Sequence, residues 1–269
     1  MTTKYDFSGH QILITGAGKG IGRSLVKALY QANADKIFAV TRTESDLTSL
    51  ISECLSLESS SSSKSKIIPI VLDLSLEISE IEKILKPIFE NNEINHLVNN
   101  AGVNVLEKFL DLSEEGYDRV MKINLKSPVF IAKMFANSVK SSSRIDSGRN
   151  STILNVSSQA SVVPIQSHTS YCLSKAALDM ATKMMALELS DTNCRIKVNS
   201  INPTVVLTEL GKAAWTDPEK AAPMKAKIPS GRFAEVEDVV QPILFLLSGD
   251  SQMINASNNY VDGGFVNCN

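Results

Sequence analysis

QILITGAGKGIGRSLVKALYQAN, residues 11–33, runs from a strand-like apolar pentapeptide through a glycine-rich turn into a segment of helical periodicity. Glycines at such a turn let the backbone approach a ligand closely, and the first N–H groups of the following helix suit a pyrophosphate. The spacing is G-x-x-x-G-x-G over Gly16, Gly20 and Gly22; the commoner dinucleotide fingerprint begun at Gly16 would place its third glycine at Ile21. A tight turn without a ligand needs the same glycines. This one follows the first strand and opens a helix, the context that gives the pattern meaning.

The same strand-then-helix rhythm continues outward. Apolar runs recur as KIFAVT from 36, IIPIVLD from 67, INHLVNN from 94, STILNVSS from 151 and RIKVNSINP from 195, with a seventh short strand expected at NNYVDGG from 258. Most are apolar almost throughout, as expected of strands covered by helices on both faces. The fold class expected is α/β: a single Rossmann-like domain over residues 1–269, a doubly wound parallel sheet of about seven strands with helices on both faces. After about 205 the pattern is less regular and reads as a substrate cap at 205–230 containing Trp215, with helices over 217–227 and 235–247. Two serine-rich stretches, 56–66 and 138–150, read as exposed loops that lengthen helix-to-strand connections.

Composition sets the outer limits. The chain has 269 residues, a formal net charge of −2 and 43% hydrophobic residues. The charge balance lacks the basic excess that favours nucleic acid or an anionic membrane. No apolar run approaches the roughly 20 residues of a membrane span, and the N-terminus lacks a basic-then-apolar leader, so a cytoplasmic protein is expected. Cys54, Cys172, Cys194 and Cys268 and the three histidines are scattered, which predicts neither a metal site nor a disulfide framework.

The second strand ends in AVTRTESDL. An acidic residue here would accept from the ribose 2′-hydroxyl of NAD, but the chain has Thr41 followed by Arg42 and Thr43. An arginine fork suits a 2′-phosphate, and Lys19 in the glycine loop could add a second positive charge. The alternative is a pair of solvated surface cations.

In SHTSYCLSKAALDM, residues 167–180, Tyr171 and Lys175 lie one helical turn apart on one face. A neighbouring ammonium favours phenolate and lowers a tyrosine pKa from about 10. Chance also produces this spacing on surface helices. Ser158 precedes Tyr171 by thirteen residues, so a returning loop could bring its hydroxyl to the phenol. Asn124 sits in an otherwise apolar helical stretch, where an asparagine is unfavourable unless its amide or the local backbone has a task; a satisfied buried amide is the other reading.

TGAGKGIG at 15–22, Asp73 after the third strand, NNAG at 99–102, Asn124, Ser158 and Tyr171-x-x-x-Lys175 occur in the order found in the short-chain dehydrogenase/reductases, and the resemblance covers nearly the whole chain. It implies an NADP(H)-dependent oxidoreductase in which Tyr171 is the general acid and Ser158 orients the carbonyl. Lys175 lowers the tyrosine pKa and holds the nicotinamide ribose, and Asn124 anchors a proton relay. The cofactor contacts implied are Gly16, Gly18, Lys19, Gly20, Ile21 and Gly22 in the first loop and Arg42 and Thr43 after the second strand. Asp73, Leu74, Asn100, Ala101 and Gly102 would line the adenosine side; Tyr171, Lys175, Pro203, Val206 and Thr208 complete the set. Where many members have Pro-Gly after the sixth strand, this chain has Asn202-Pro203-Thr204, so the local backbone shape there is open.

NPTVV, NVSSQ, KAAWTDPEKA and RFAEVEDVVQPILFLLS are similar to the branch of the family that reduces L-xylulose and small α-dicarbonyls such as diacetyl. That branch implies Ser158, Ile165, His168, Tyr171 and Trp215 as substrate contacts, with Asn155 and Gln159 as polar supplements. From the residues alone, His168 reads equally as a ligand to a sugar hydroxyl or as an exposed loop histidine, and Trp215 as a wall over the substrate or as part of the cap's core. A homotetramer is implied, with helices around 113–140 and 169–190 between subunits. Other ketones, 3-oxoacyl thioesters or steroids, remain open as substrates, and a non-catalytic nucleotide-binding scaffold is the reading from another class.

Overall fold

The computed structural model describes residues 5–57, 65–141, 151–190 and 195–268. Residues 58–64 and 142–150 of the two serine-rich stretches, and Cys194, lie outside them.

Seven strands form one parallel sheet in the order β3-β2-β1-β4-β5-β6-β7. They are β1 Gln11–Thr15, β2 Lys36–Thr41, β3 Lys66–Val71, β4 His96–Asn99, β5 Ser151–Val156, β6 Ile196–Pro203 and β7 Asn258–Val261. The sheet is that of a Rossmann-like α/β domain. The helices are α1 Gly20–Gln31, α2 Glu44–Ser56, α3 Ile78–Asn91, α4 Glu114–Met121, α5 Ser127–Lys140, α6 Thr169–Ser190, α7 Glu209–Ala214, α8 Pro218–Lys225 and α9 Val236–Leu247.

Strand alternation, invisible in runs that are apolar throughout, emerges as two cores. Ile12 and Ile14, Ile37 and Ala39, Val98, Leu154 and Val156 enter one core with Leu25 and Leu29 of α1, Leu47 and Leu50 of α2, and Val240 and Leu244 of α9. Leu13, Phe38 and Val40, Leu97, Ile153 and Val198 enter the other with Ile81 and Leu85 of α3, Ile131 and Phe135 of α5, and Ala186 of α6. β5 and β6 are buried along their whole length, and β3 is an edge. The edge tolerates Pro69, which pairs with Ala39 on one side only.

The strand order reverses between β1 and β4, which start connections in opposite directions. Ligands of doubly wound sheets bind beyond the carboxyl ends of the strands at such a switch point. A smaller apolar cluster of Ala221, Ile228, Phe233 and Phe265 underlies the segment after β6.

Candidate active site

At the switch point the first residues beyond β1 and β4 are tied together. The Asn100 amide donates to the Thr15 and Gly16 carbonyls at 2.9 and 3.0 Å, and the Asn100 and Ala101 backbone N–H groups both donate to Thr15 Oγ1 at 3.1 Å. Gly16 adopts φ +66°, and a Cβ there would lie 2.8 Å from Ala101 Cα. Gly22 has ordinary φ, but a Cβ would run into the Gly16 carbonyl. Gly22 is thus a packing glycine that lets α1 start hard against the loop, and it does not line the cavities described next.

One cavity of about 260 Å³ lies over the β1–β2–β3 side, lined by Gly16, Gly18, Lys19, Arg42, Thr43, Asp73, Leu74, Ala101 and Gly102 among others. Burial pushes the Asp73 carboxyl up, but hydrogen bonds from Ser75 and the charges of Arg42 and Arg119 outweigh it, and its pKa falls below the ordinary value. Lys19 is not a free cation: its ammonium stands 3.8 Å from Asp46 of α2, a lining residue that sequence reading missed.

A second cavity of about 800 Å³ opens from the same loop toward β5 and β6. Gly16, Lys19, Gly20 and Ile21 line one end with Asn100, Ala101 and Gly102; Ser158, Gln159, Ile165, His168, Tyr171 and Lys175 line the other, with Pro203, Val206 and Thr208 above. Val103, Asn104, Thr204 and Glu209 also line it and were not singled out in the sequence. Asn104 and Val103 directly follow the NNAG motif, which was the available signal.

Tyr171 and Lys175 share a face of α6, and the ammonium stands 5.6 Å from the centroid of the phenol ring. Lys175 Nζ donates to the Val156 carbonyl at 2.8 Å. Burial lowers its pKa to about 8, against the opposing charge of Asp179. The phenol departs from expectation: burial raises its pKa, and a hydrogen bond with Ser158 only partly offsets this. Desolvation therefore outweighs the lowering anticipated from Lys175. Ser158 Oγ accepts from the Ala160 N–H at 3.1 Å, capping a short 3-10 turn, so its own proton is left to donate.

Asn124 is not in regular α-helix. It occupies a π-turn, Lys122–Lys126, inserted between α4 and α5. Its Oδ1 accepts from the Val103 N–H at 2.8 Å, and its Nδ2 donates to the Val103 carbonyl and to Ser174 Oγ. The side chain is therefore a clamp between the segment after NNAG and α6. Such π-turns bring otherwise helical residues out of register and recur at functional sites.

His168 Nδ1 lies 2.7 Å from the Gln166 carbonyl, which can only accept. The proton is therefore on Nδ1, which leaves Nε2 to bond another group. Ser167 holds this corner at φ +62°, an uncommon conformation for a residue with a side chain.

Two expected contacts stand elsewhere, and a third is engaged differently. Trp215 packs against Phe233, with ring centroids 5.1 Å apart, and lines neither cavity; it joins the small apolar cluster under the segment after β6. Asn155 is fully used inside the sheet, accepting from Asn99 and donating to Thr182. Asn100 lines the larger cavity, and its amide is spent on the glycine loop.

A family profile described as short chain dehydrogenase matches residues 10–219. The chain belongs to the short-chain dehydrogenase/reductase family. Among relatives, the L-xylulose reductase of Bos taurus is 43% identical over 96% of this chain and 97% of its own. The D-erythrulose reductase of Gallus gallus is 40% identical over 99% of each. Among solved structures, a gluconate 5-dehydrogenase from Burkholderia cenocepacia in complex with NADP and tartrate superposes with a TM-score of 0.83 at 25% identity, over 98% of both chains. This short-chain dehydrogenase/reductase is an NADP-dependent oxidoreductase, and its residues fit the cofactor: a glycine loop closed to any Cβ at Gly16, and Arg42 and Lys19 on the wall where NAD enzymes carry an acid.

Proposed function

We propose that the enzyme reduces L-xylulose to xylitol with NADPH, reversibly, and reduces small α-dicarbonyls such as diacetyl. The observation that carries this reading is the larger cavity, which joins the glycine loop to Ser158, Tyr171 and Lys175 and adds the His168 imidazole as a hydrogen-bonding partner for a hydroxyl beside the carbonyl. The identity of 43% to an L-xylulose reductase supports the same choice.

NADPH supplies the hydride when bound. Tyr171 donates its proton to the carbonyl oxygen, and Ser158 donates a hydrogen bond to the same oxygen and holds it in place. Lys175, charged at neutral pH with a pKa of about 8, steadies negative charge on the phenol oxygen and bonds the nicotinamide ribose. Asn124 keeps α6 and the segment after NNAG in register for the proton relay. Arg42, with Lys19, holds the 2′-phosphate. A four-carbon hydroxyketone is a second reading, favoured by the likeness to the D-erythrulose reductase. A homotetrameric assembly in the cytoplasm belongs to the same proposal. No helix among the described residues is long and apolar enough to cross a membrane, and Cys54, Cys172 and Cys268 are free thiols.

Initial rates of NADPH oxidation with L-xylulose, D-erythrulose and diacetyl test the proposal. Turnover of L-xylulose should exceed that of a 3-oxoacyl thioester or a steroid, and Arg42→Ala should weaken NADPH far more than NADH, by about tenfold or more. Tyr171→Phe should abolish turnover and leave NADPH binding intact. Tight NADPH binding without turnover of any of the three ketones would overturn the substrate assignment.

A further inference from the structure

Behind the proposed catalytic residues lies a buried carboxylate that the reaction does not use. Asp179 stands one turn beyond Lys175 on α6, as Lys175 stands one turn beyond Tyr171, so all three occupy one face of the helix. It is 5% exposed. Oδ2 accepts from Asn202 Nδ2 at 2.8 Å, and Oδ1 has no hydrogen-bond partner among the described residues. A carboxylate so poorly satisfied is costly to bury unless a countercharge repays it, and Lys175, itself buried, feels its field.

Asn202 is fully buried near the end of β6, directly before the Pro203-Thr204 pair. Besides Asp179, its Nδ2 donates to the Ser158 carbonyl and to Ser161 Oγ, each at 3.2 Å, and its Oδ1 accepts from Ser200 at 2.7 Å. One amide thus joins the carboxylate to both ends of the turn that carries Ser158.

We propose that Asp179 and Asn202 form a positioning couple: the carboxylate is the buried countercharge that keeps Lys175 cationic, and the amide it orients fixes the turn that presents Ser158. This inference rests on the catalytic roles proposed above. The other titratable groups near the couple are Tyr171 and Cys172 on α6, Tyr260 on β7 and Asp262 just after it; burial and the Asp179 field both raise the Tyr260 pKa. β5 and the π-turn contribute uncharged dipoles, the Val156 carbonyl and the Asn124 amide. Because burial moves Tyr171 above its usual range while Lys175 titrates at about 8, loss of activity on the alkaline side begins with Lys175.

The test is the pH profile of carbonyl reduction. Asp179→Asn keeps an acceptor for Asn202 and removes the charge. Its alkaline limb should move to lower pH by about one unit, the scale of one nearby opposite charge, with KM for NADPH rising at pH 8.5 and near wild type at pH 6. Asn202→Ala should lower kcat at every pH about tenfold while leaving the limb in place. A limb in Asp179→Asn that coincides with wild type overturns the inference. Asp179→Ser is a second uncharged variant; failure of both to fold would also overturn it, in favour of a purely structural carboxylate. Failure of the underlying catalytic reading shows separately, as wild-type turnover in Tyr171→Phe.

Discussion

His96 illustrates how a single side chain can set the pH range of the whole fold. It is fully buried at the start of β4, its Nε2 is 2.8 Å from His10 Nδ1, the two rings stack with centroids 5.0 Å apart, and Phe7 meets both edge-on. Its own Nδ1 has no partner among the described residues. One of the two facing nitrogens carries the proton that the other accepts. Burial, then the charges of His10 and Lys197, holds the His96 pKa well below 6.5. In the unfolded chain the ring protonates near 6.5, so acid adds a proton to the unfolded state first. The stabilisation is complete above about pH 6.5 and is lost as pH falls, with a limiting slope of about 1.4 kcal/mol per pH unit. Urea midpoints should therefore drop between pH 7 and pH 5, and His96→Gln should flatten that decline. Equal slopes in both proteins would show that another group sets the acid limit.

Between elements, the contact that closes the α9 end of the molecule comes from a strand. α9 has no basic residue in its last turn. Lys197 of β6 supplies one: its buried ammonium is 2.7 Å from Ser251 Oγ, 3.2 Å from the Ser251 carbonyl and 3.5 Å from the Leu246 and Ser248 carbonyls. Burial lowers its pKa, but three carbonyls and the negative end of the helix dipole repay the charge. Lys197→Met should cost about 3 kcal/mol in chemical denaturation, from carbonyls left without a donor, with NADPH affinity within about twofold of wild type. A loss under about 0.5 kcal/mol would show that the ammonium is not what pins α9. Contacts of this kind explain what could be read in the chain and what could not. Each strand announced itself by its apolar run, and the glycine loop, Ser158, Tyr171 and Lys175 by motif. Lys197 reaches a turn 54 residues away, and Asn100 reaches Thr15 across 85. Parallel crossovers create such neighbours, and no local spacing encodes them. The π-turn at Asn124 was hidden for a different reason, since a single turn of five residues is too short to show as a period of its own between two helices.

For the whole molecule, the proposed assembly turns on the outer face of α6. Leu173, Met180, Met184 and Leu187 are 49%, 58%, 45% and 65% exposed, at spacings of seven, four and three that place them on one stripe. Phe130 of α5 is exposed as well, and α5 runs in the segment expected to pack between subunits. A stripe of this length, on a helix whose opposite face carries Lys175 and Asp179, is the surface on which the proposed assembly would rest. Further burial of a half-exposed leucine or methionine is worth about 1 kcal/mol. Four from each copy across a twofold contact supply a stabilisation comparable with the lower estimates, about 4 kcal/mol and upward, of the cost of association. Because Tyr171 and Lys175 belong to the same helix, assembly should also stiffen the site. Light scattering of the wild type at micromolar concentration should give a tetramer. Met184→Glu with Leu187→Glu should give a smaller species, because two carboxylates per copy would face their equivalents across the contact, and kcat should fall several-fold while the NADPH affinity of the folded subunit persists. A wild-type monomer would refute the assembly, and a smaller species with undiminished kcat would show that α6 holds Tyr171 and Lys175 in place without help from a neighbour.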